Sequence, residues 1–243
     1  MEKIKLHLIG KKYIDKLLYI DSVQLSETND IIKAEERKGG IFNITEDIPG
    51  IEPQYSPIGE KQAIIISEIE KSRRTSLVRE HSNKGLDIVC KHNLMVNLMQ
   101  SYDWTHLAYG DDLESELIES QIKNNTSVDF CTTKDRARYK GIIDRCRLVF
   151  DSRERKPLYN NLETDTIIVL HDPEGCEAIF KGIKVVEHKS PPPISGLSVN
   201  GAGDIFSAVF IREFLTTNLK NAVTLSCEVT TSILRQRRDN EKI

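Results

Sequence analysis

A single stretch, Asn200-Gly-Ala-Gly-Asp-Ile-Phe206, limits this chain more than any other. Behind it, Ile205, Phe206, Val209, Phe210 and Phe214 recur at the spacing of one buried helical stripe. Ahead of it, Lys189 to Gly196 carries three successive prolines and cannot be helical. The segment is therefore a tight glycine turn between an extended entry and a helix whose apolar face fixes its aim. Two glycines around a small residue let the backbone approach an anion closely. The free N–H groups of the first turn and the positive end of the helix dipole then point at that anion. Asp204 puts one carboxylate at the same junction, an arrangement suited to phosphoryl transfer onto an alcohol.

The rest of the chain reads as strands, then as strands interleaved with helices. Ile4–Gly10 alternates apolar and polar residues and Tyr13–Asp21 continues in extended composition. Residues 48–59, with three prolines and two glycines, read as a loop. Gln62–Glu70 is a strand, and Thr75–Arg79 its hairpin partner across a polar turn. Further strands are expected at Leu86–Cys90, Trp104–Tyr109, Ser127–Cys131, Arg147–Phe150 and Thr166–Leu170. Helices are expected at 94–102, 111–124 and 134–144. Such interleaving predicts a mainly parallel sheet covered on both faces, with ligands beyond the carboxyl ends of its strands.

Composition narrows the classes. With 243 residues, 39% hydrophobic and 29% charged, the chain can build one sizeable α/β domain. A formal net charge of -3 points to neither nucleic acid nor an anionic membrane as partner. No apolar run approaches the roughly 20 residues of a membrane span, and the N-terminus lacks a signal-peptide apolar region, so the cytoplasm is expected. Five dispersed cysteines without a C-x-x-C pair read as reduced thiols. No Walker loop is present, which excludes a P-loop kinase. A serine hydrolase fails as well: Gly196-Leu-Ser-Val-Asn200 lacks the second glycine of the elbow, and no histidine follows it.

The Gly201-Ala-Gly-Asp204 segment resembles the signature of the ribokinase/PfkB carbohydrate-kinase family, and the likeness continues in pieces along the chain. After the first strand, Asp15 matches the acid that holds sugar hydroxyls in that family, while Tyr13 stands where asparagine is usual. Gly39-Gly40-Ile-Phe-Asn43 resembles the family's Gly-Gly substrate loop. Arg147-Leu-Val-Phe-Asp-Ser-Arg-Glu154 resembles its strand followed by N-x-x-E, with Asp151 in place of asparagine. His171-Asp-Pro-Glu-Gly175 resembles the turn near the adenine site, retaining the second glycine and placing Asp172 at the first. His171 itself reads as a solvated turn residue.

The resemblance implies a ribokinase-like three-layer α/β/α sandwich with a mainly parallel central sheet and a small β lid. It makes residues 1–243 a single domain, with lid strands from about 13–38 and 62–80. It implies an ATP-dependent kinase acting on a sugar or nucleoside. Asp204 is then the general base. Asn200, Gly201, Ala202 and Gly203 form the anion hole for the ATP phosphates. Asp15, Gly39, Gly40 and Asn43 bind the acceptor, Asp151 and Gly175 the nucleotide, and Glu154 orders Mg²⁺ through water. Two departures are expected to matter. Ser198-Val199 replaces the family's Asp-Thr, which predicts weak dependence on a monovalent cation. About 20 residues separate Gly40 from Gln62, so a strand and helices of the family's substrate wall are expected to be missing. Either a homodimer partner fills that gap or the pocket is more open. The alternative function is a non-catalytic nucleotide- or sugar-binding protein of the same fold.

Overall fold

The computed structural model describes residues 2–45, 48–68, 73–79, 101–108, 122, 124–130, 140–190 and 200–241. Its frame is a 10-stranded sheet. In chain order the strands are β1 (Ile4–Ile20), β2 (Lys33–Gly40), β3 (Ile51–Glu68), β4 (Arg73–Arg79), β5 (Trp104–Leu107), β6 (Thr126–Asp129), β7 (Leu148–Ser152), β8 (Ile167–Asp172), β9 (Gly175–Phe180) and β10 (Ile183–Lys189). The described helices are α1 (Lys140–Ile143), α2 (Ala202–Thr216) and α3 (Leu219–Glu241). Across the sheet the order is β10-β9-β8-β7-β6-β5-β1-β3-β4, with β2 also paired to β1.

The strands β3, β1, β5, β6, β7 and β8 run parallel to one another. Of these, β7 and β8 read as apolar runs because both faces are covered. Leu6, Leu8, Leu148, Phe150 and Val169 pack with Ile205, Phe206, Val209 and Phe210 of α2 and with α3. Ile9, Leu107, Val128, Val149 and Leu170 pack on the other face with Ile142 and Ile143 of α1. Alternate residues of one strand thus feed two cores, the expected three-layer sandwich.

The same sheet continues past the sandwich as a second, four-stranded sheet region. One flank of β1 pairs with β5 at Leu6–Ile9 and, past an irregularity between Gly10 and Lys12, with antiparallel β2 at Lys12–Tyr19. The other flank follows β3 throughout, and antiparallel β4 joins the far half of β3 at Gln62–Glu68. The residues assigned by resemblance to a lid lie in this four-stranded end.

Residues 51–59, expected as loop, are instead the first half of β3. Over Ile51–Pro57 this strand is paired with β1 alone among the described residues. On a half-paired strand, Pro53 and Pro57 need break no ladder bond, which is why prolines that read as loop are tolerated. The same finding corrects the expected gap, since a strand does occupy the sheet edge between Gly40 and Gln62. Two further differences concern the other edge. His171 and Asp172 belong to β8 and not to the turn after it, and β9 and β10 extend the sheet antiparallel. The strand expected at 86–90, all but residues 122 and 124 of the helix at 111–124 and nearly all of that at 94–102 fall outside the described residues, as does most of the 134–144 helix. So do Ser198 and Val199.

Candidate active site

The Gly201-Ala-Gly203 segment adopts the turn its glycines suggested. Gly201, the residue capping α2, has φ +74°, a left-handed conformation open to glycine at little cost. As the capping residue, Gly201 has no side chain with which to bond the helix start. Close approach matters as much as dihedral. A Cβ on Gly201 would fall 3.0 Å from Cγ of Asn43, and one on Gly203 would fall 3.3 Å from Cε1 of His171.

Asp204 lies in that first turn and is only 6% exposed. The amide Nδ2 of Asn43 donates to its Oδ2 at 2.8 Å, joining residues 161 apart in sequence. Asn43 ends the 3-10 turn Ile41–Asn43, which begins directly after β2. Phe42 in that turn stacks on Tyr55 of β3, at 4.8 Å between ring centroids. Gly40 enters the turn at φ +64°, and a Cβ there would fall 2.4 Å from the carbonyl oxygen of Lys11. Asp15, 3% exposed, reaches across to Gly39, where a Cβ would overlap Oδ2 at 1.9 Å. The backbone of β2 can cross the Asp15 carboxylate only because residue 39 has no side chain.

The structure thus joins Asp204, Gly201 and Asn43 directly, and reaches Asp15, Gly39 and Gly40 through the short turn. Asn200 is buried just before Gly201. Ala202 opens the helix. Other residues named from the sequence sit at the strand ends nearby. Asp151 is buried, and its carboxylate accepts from the Ser152 N–H at 2.7 Å, Nη1 of Arg155 at 2.9 Å and the Tyr159 hydroxyl at 2.6 Å. Internal donors therefore engage both its oxygens. Gly175 pairs with Lys189 where β9 meets β10, and Asp172 Oδ1 accepts from its N–H at 3.0 Å. Glu154 is exposed in the 3-10 turn Arg153–Tyr159 that follows β7. Among the described residues no hydrogen bond or ion pair engages its carboxylate.

Two residues that the sequence did not mark as functional stand beside the loop. His171, expected in solvent, stacks on Phe206 at 4.4 Å and walls Gly203. Its place at the end of an apolar strand was the available signal. Arg153 has Nε 3.7 Å from Asp172 Oδ2, and its Nε and Nη2 are buried with no hydrogen-bond partner among the described residues. Buried guanidinium donors of this kind fit a phosphate group. No three of the described His, Cys, Asp and Glu side chains cluster into a metal site.

No family model matches the chain, and no curated protein matches it. Solved structures do. A nucleoside kinase from Burkholderia thailandensis in complex with inosine aligns at a TM-score of 0.72 and 9% identity, over 95% of this chain and 90% of that one. A nucleoside kinase from Methanocaldococcus jannaschii aligns at 0.68 and 13% identity, over 96% and 92%. A ribokinase from Thermotoga maritima aligns at 0.61 and 13%, over 95% and 92%. At such identities the likeness speaks for architecture: this chain has the ribokinase-like α/β fold.

Proposed function

We propose that the chain is an ATP-dependent kinase that phosphorylates a hydroxyl of a small molecule, of the sugar or nucleoside class. The observation that carries this is the Asp204 carboxylate, buried in the first turn of α2 and fixed by Asn43 at 2.8 Å beside the left-handed Gly201. An anion at that helix start and a hydroxyl at Asp204 would be neighbours. The fold's solved relatives include nucleoside kinases and a ribokinase, which supports the class of acceptor.

In this reading Asp204 takes the hydroxyl proton as the oxygen–phosphorus bond forms. The bond from the γ-phosphorus to its bridging oxygen breaks, and ADP leaves. The N–H groups of Gly201, Ala202 and Gly203 stabilise the charge on the transferring group. Asn43 holds the carboxylate in position. Asp15 orients the acceptor, and its burial against Gly39 keeps competing water away. Arg153 adds a positive charge at the same end of the sheet. Glu154 would help to hold Mg²⁺ through water, and the ion would supply charge neutralisation on the nucleotide. The cytoplasm is the compartment where ATP is available, and no described helix is long and apolar enough to cross a membrane.

The test is ATP turnover with a panel of sugars and nucleosides, read as ADP release and as a phosphorylated product. Acceptor-dependent ADP release is expected. Tight ATP binding without transfer to any member would favour the binding-protein alternative.

A further inference from the structure

Cys176 and Cys227 are distant in sequence and meet in the folded chain. Cys176 is the second residue of β9 and is fully buried. Cys227 lies on α3 and is 6% exposed. Both belong to the core beneath α2 and α3. Their thiols are hydrogen-bonded to one another, Cys176 donating and the Cys227 sulfur accepting. Two sulfurs in hydrogen-bond contact from a strand and the helix packed on it face each other, which is what a disulfide requires of its partners.

The surroundings divide the two thiols. The bond from Cys176, a second from the Ser190 hydroxyl and the positive charge of Arg153 favour a Cys227 thiolate and hold its pKa below the ordinary value. Burial, and then its bond to Cys227, push Cys176 up. The more acidic sulfur is also the more exposed one, so Cys227 is the sulfur that a small oxidant meets first. Cys146 marks the contrast. It is buried in the opposite core, and burial pushes its thiol up to about 12. The pair also lies close to the glycine turn, because Cys176 is the cross-strand partner of His171, which walls Gly203.

We propose that Cys176 and Cys227 form a peroxide-responsive dithiol that closes to a disulfide in the folded chain and ties α3 to β9 beside the candidate site. The Cys227 thiolate attacks one oxygen of hydrogen peroxide, the O–O bond breaks, and Cys227 becomes a sulfenic acid. The departing hydroxide takes up the proton that Cys227 lost and leaves as water. The Cys176 sulfur then attacks the Cys227 sulfur, and the sulfenic hydroxyl leaves with the Cys176 proton as a second water. Two thiols are oxidised and one peroxide is reduced. No step needs ATP or an acceptor, so the inference stands apart from the kinase reading.

The test treats the reduced full chain with hydrogen peroxide, alkylates the remaining thiols and digests with trypsin in the absence of reductant. Peptides 156–181 and 221–235, which carry Cys176 and Cys227, should be recovered joined, and dithiothreitol should separate them. The oxidised chain should melt about 5 °C or more above the reduced one, since the bond closes a loop of about 50 residues and restricts the unfolded chain. Cys176→Ser should stop the reaction at the Cys227 sulfenic acid, which dimedone traps. Cys227→Ala should abolish both products, and Cys146→Ser should change neither. The mapping uses the unsubstituted chain, so it decides the matter even where a core variant does not fold. No joined pair from the folded chain, a joined pair formed only in urea, preferential pairing of either thiol with another cysteine, or an oxidised form that melts at or below the reduced one would overturn the proposal.

Discussion

From Ile4 to Gly10, β1 is buried on both faces: Leu6 and Leu8 belong to the core under α2 and α3, and Ile9 to the core on the opposite side. From Lys12 to Ile20 the same strand contributes Tyr13, Leu17 and Tyr19 to a small cluster with Ala63 and Ile65, while Lys16 on its other face is exposed. One half is held by two large cores and the other by one small one. The cost of moving the first is spread over many contacts, whereas the second can shift with whatever it covers. In the proposed kinase reading, Asp204 and Glu154, which would have to stay fixed relative to the reacting atoms, project from elements of the first. Asp15, which would orient the acceptor, projects from the second.

The largest expected effect tests whether chemistry belongs to the fixed half alone. Asp204→Asn keeps the side chain's size and removes the proton acceptor. It should lower kcat by at least about a hundredfold with ATP affinity changed little. Asn43→Ala, on the lid side of the same hydrogen bond, should instead raise the acceptor KM more than it lowers kcat. Steady-state kinetics and calorimetry with ATP separate the two. An Asp204→Asn enzyme working at the wild-type rate would take that carboxylate out of the mechanism.

Next in size is packing. Leu8→Ala should destabilise the chain by about 2–5 kcal/mol, the range for a leucine removed from a well-packed core. Leu17→Ala, in the small cluster, should lie at or below the lower end of that range. It should also raise the acceptor KM while leaving ATP affinity alone. Urea melts and paired titrations decide it. Equal losses of stability from the two variants would dissolve the distinction between the halves.

Acid should act on the first half. His7 and His106 are fully buried, and desolvation lowers each to about 4 from the ordinary 6.5. His7 Nε2 bonds Ser56 Oγ at 2.8 Å, and His106 Nδ1 bonds Ser127 Oγ at 2.8 Å. Both are neutral in the fold, so the unfolded chain takes up protons first as pH falls. The stability they contribute is complete above about pH 6.5 and is lost as pH drops towards 4, by about 3 kcal/mol for each at the low end. The described part of the second sheet holds no histidine. Urea melts at pH 7 and pH 4.5 should show a flatter pH dependence in His7→Asn and His106→Asn. An unchanged slope in both variants would mean that other groups carry the acid sensitivity.

What could be read from residues alone follows the same division. The strands β7 and β8 showed themselves as apolar runs because both faces are buried, and α2 as a stripe of large apolar residues, although the helix is buried on every side from Asp204 to Glu213. The hairpin of β3 and β4 was visible through its polar turn. The first half of β3 was not, since Pro53, Pro57 and Gly59 signal a loop unless one knows that the strand is paired on one side. The site was legible as pieces supplied by resemblance. Nothing local in the sequence says that Asn43 meets Asp204, because that bond depends on how two sheets sharing β1 turn the chain after Gly40. His171 was misread because its burial depends on Phe206, which comes 35 residues later.

The smallest effect sharpens the comparison most narrowly. Glu154 stands just beyond β7, in the fixed half, exposed and without a partner among the described residues. If it orders the water shell of Mg²⁺, the neutral isostere Glu154→Gln keeps its shape and loses only the charge that fixes those waters. The ion would still be held by nucleotide phosphates, which dominate Mg²⁺ binding in such sites. Only a few-fold rise in the Mg²⁺ concentration for half-maximal rate is therefore expected. At saturating Mg²⁺, kcat should recover, and the acceptor KM should not move because the acceptor contacts lie on the other half. Initial rates across a Mg²⁺ series at fixed ATP, repeated at two acceptor concentrations, test both points. An unchanged Mg²⁺ dependence would strip Glu154 of its role. A shift in acceptor KM with Mg²⁺ dependence intact would place Glu154 on the acceptor side and break the division between a half that does the chemistry and a half that selects.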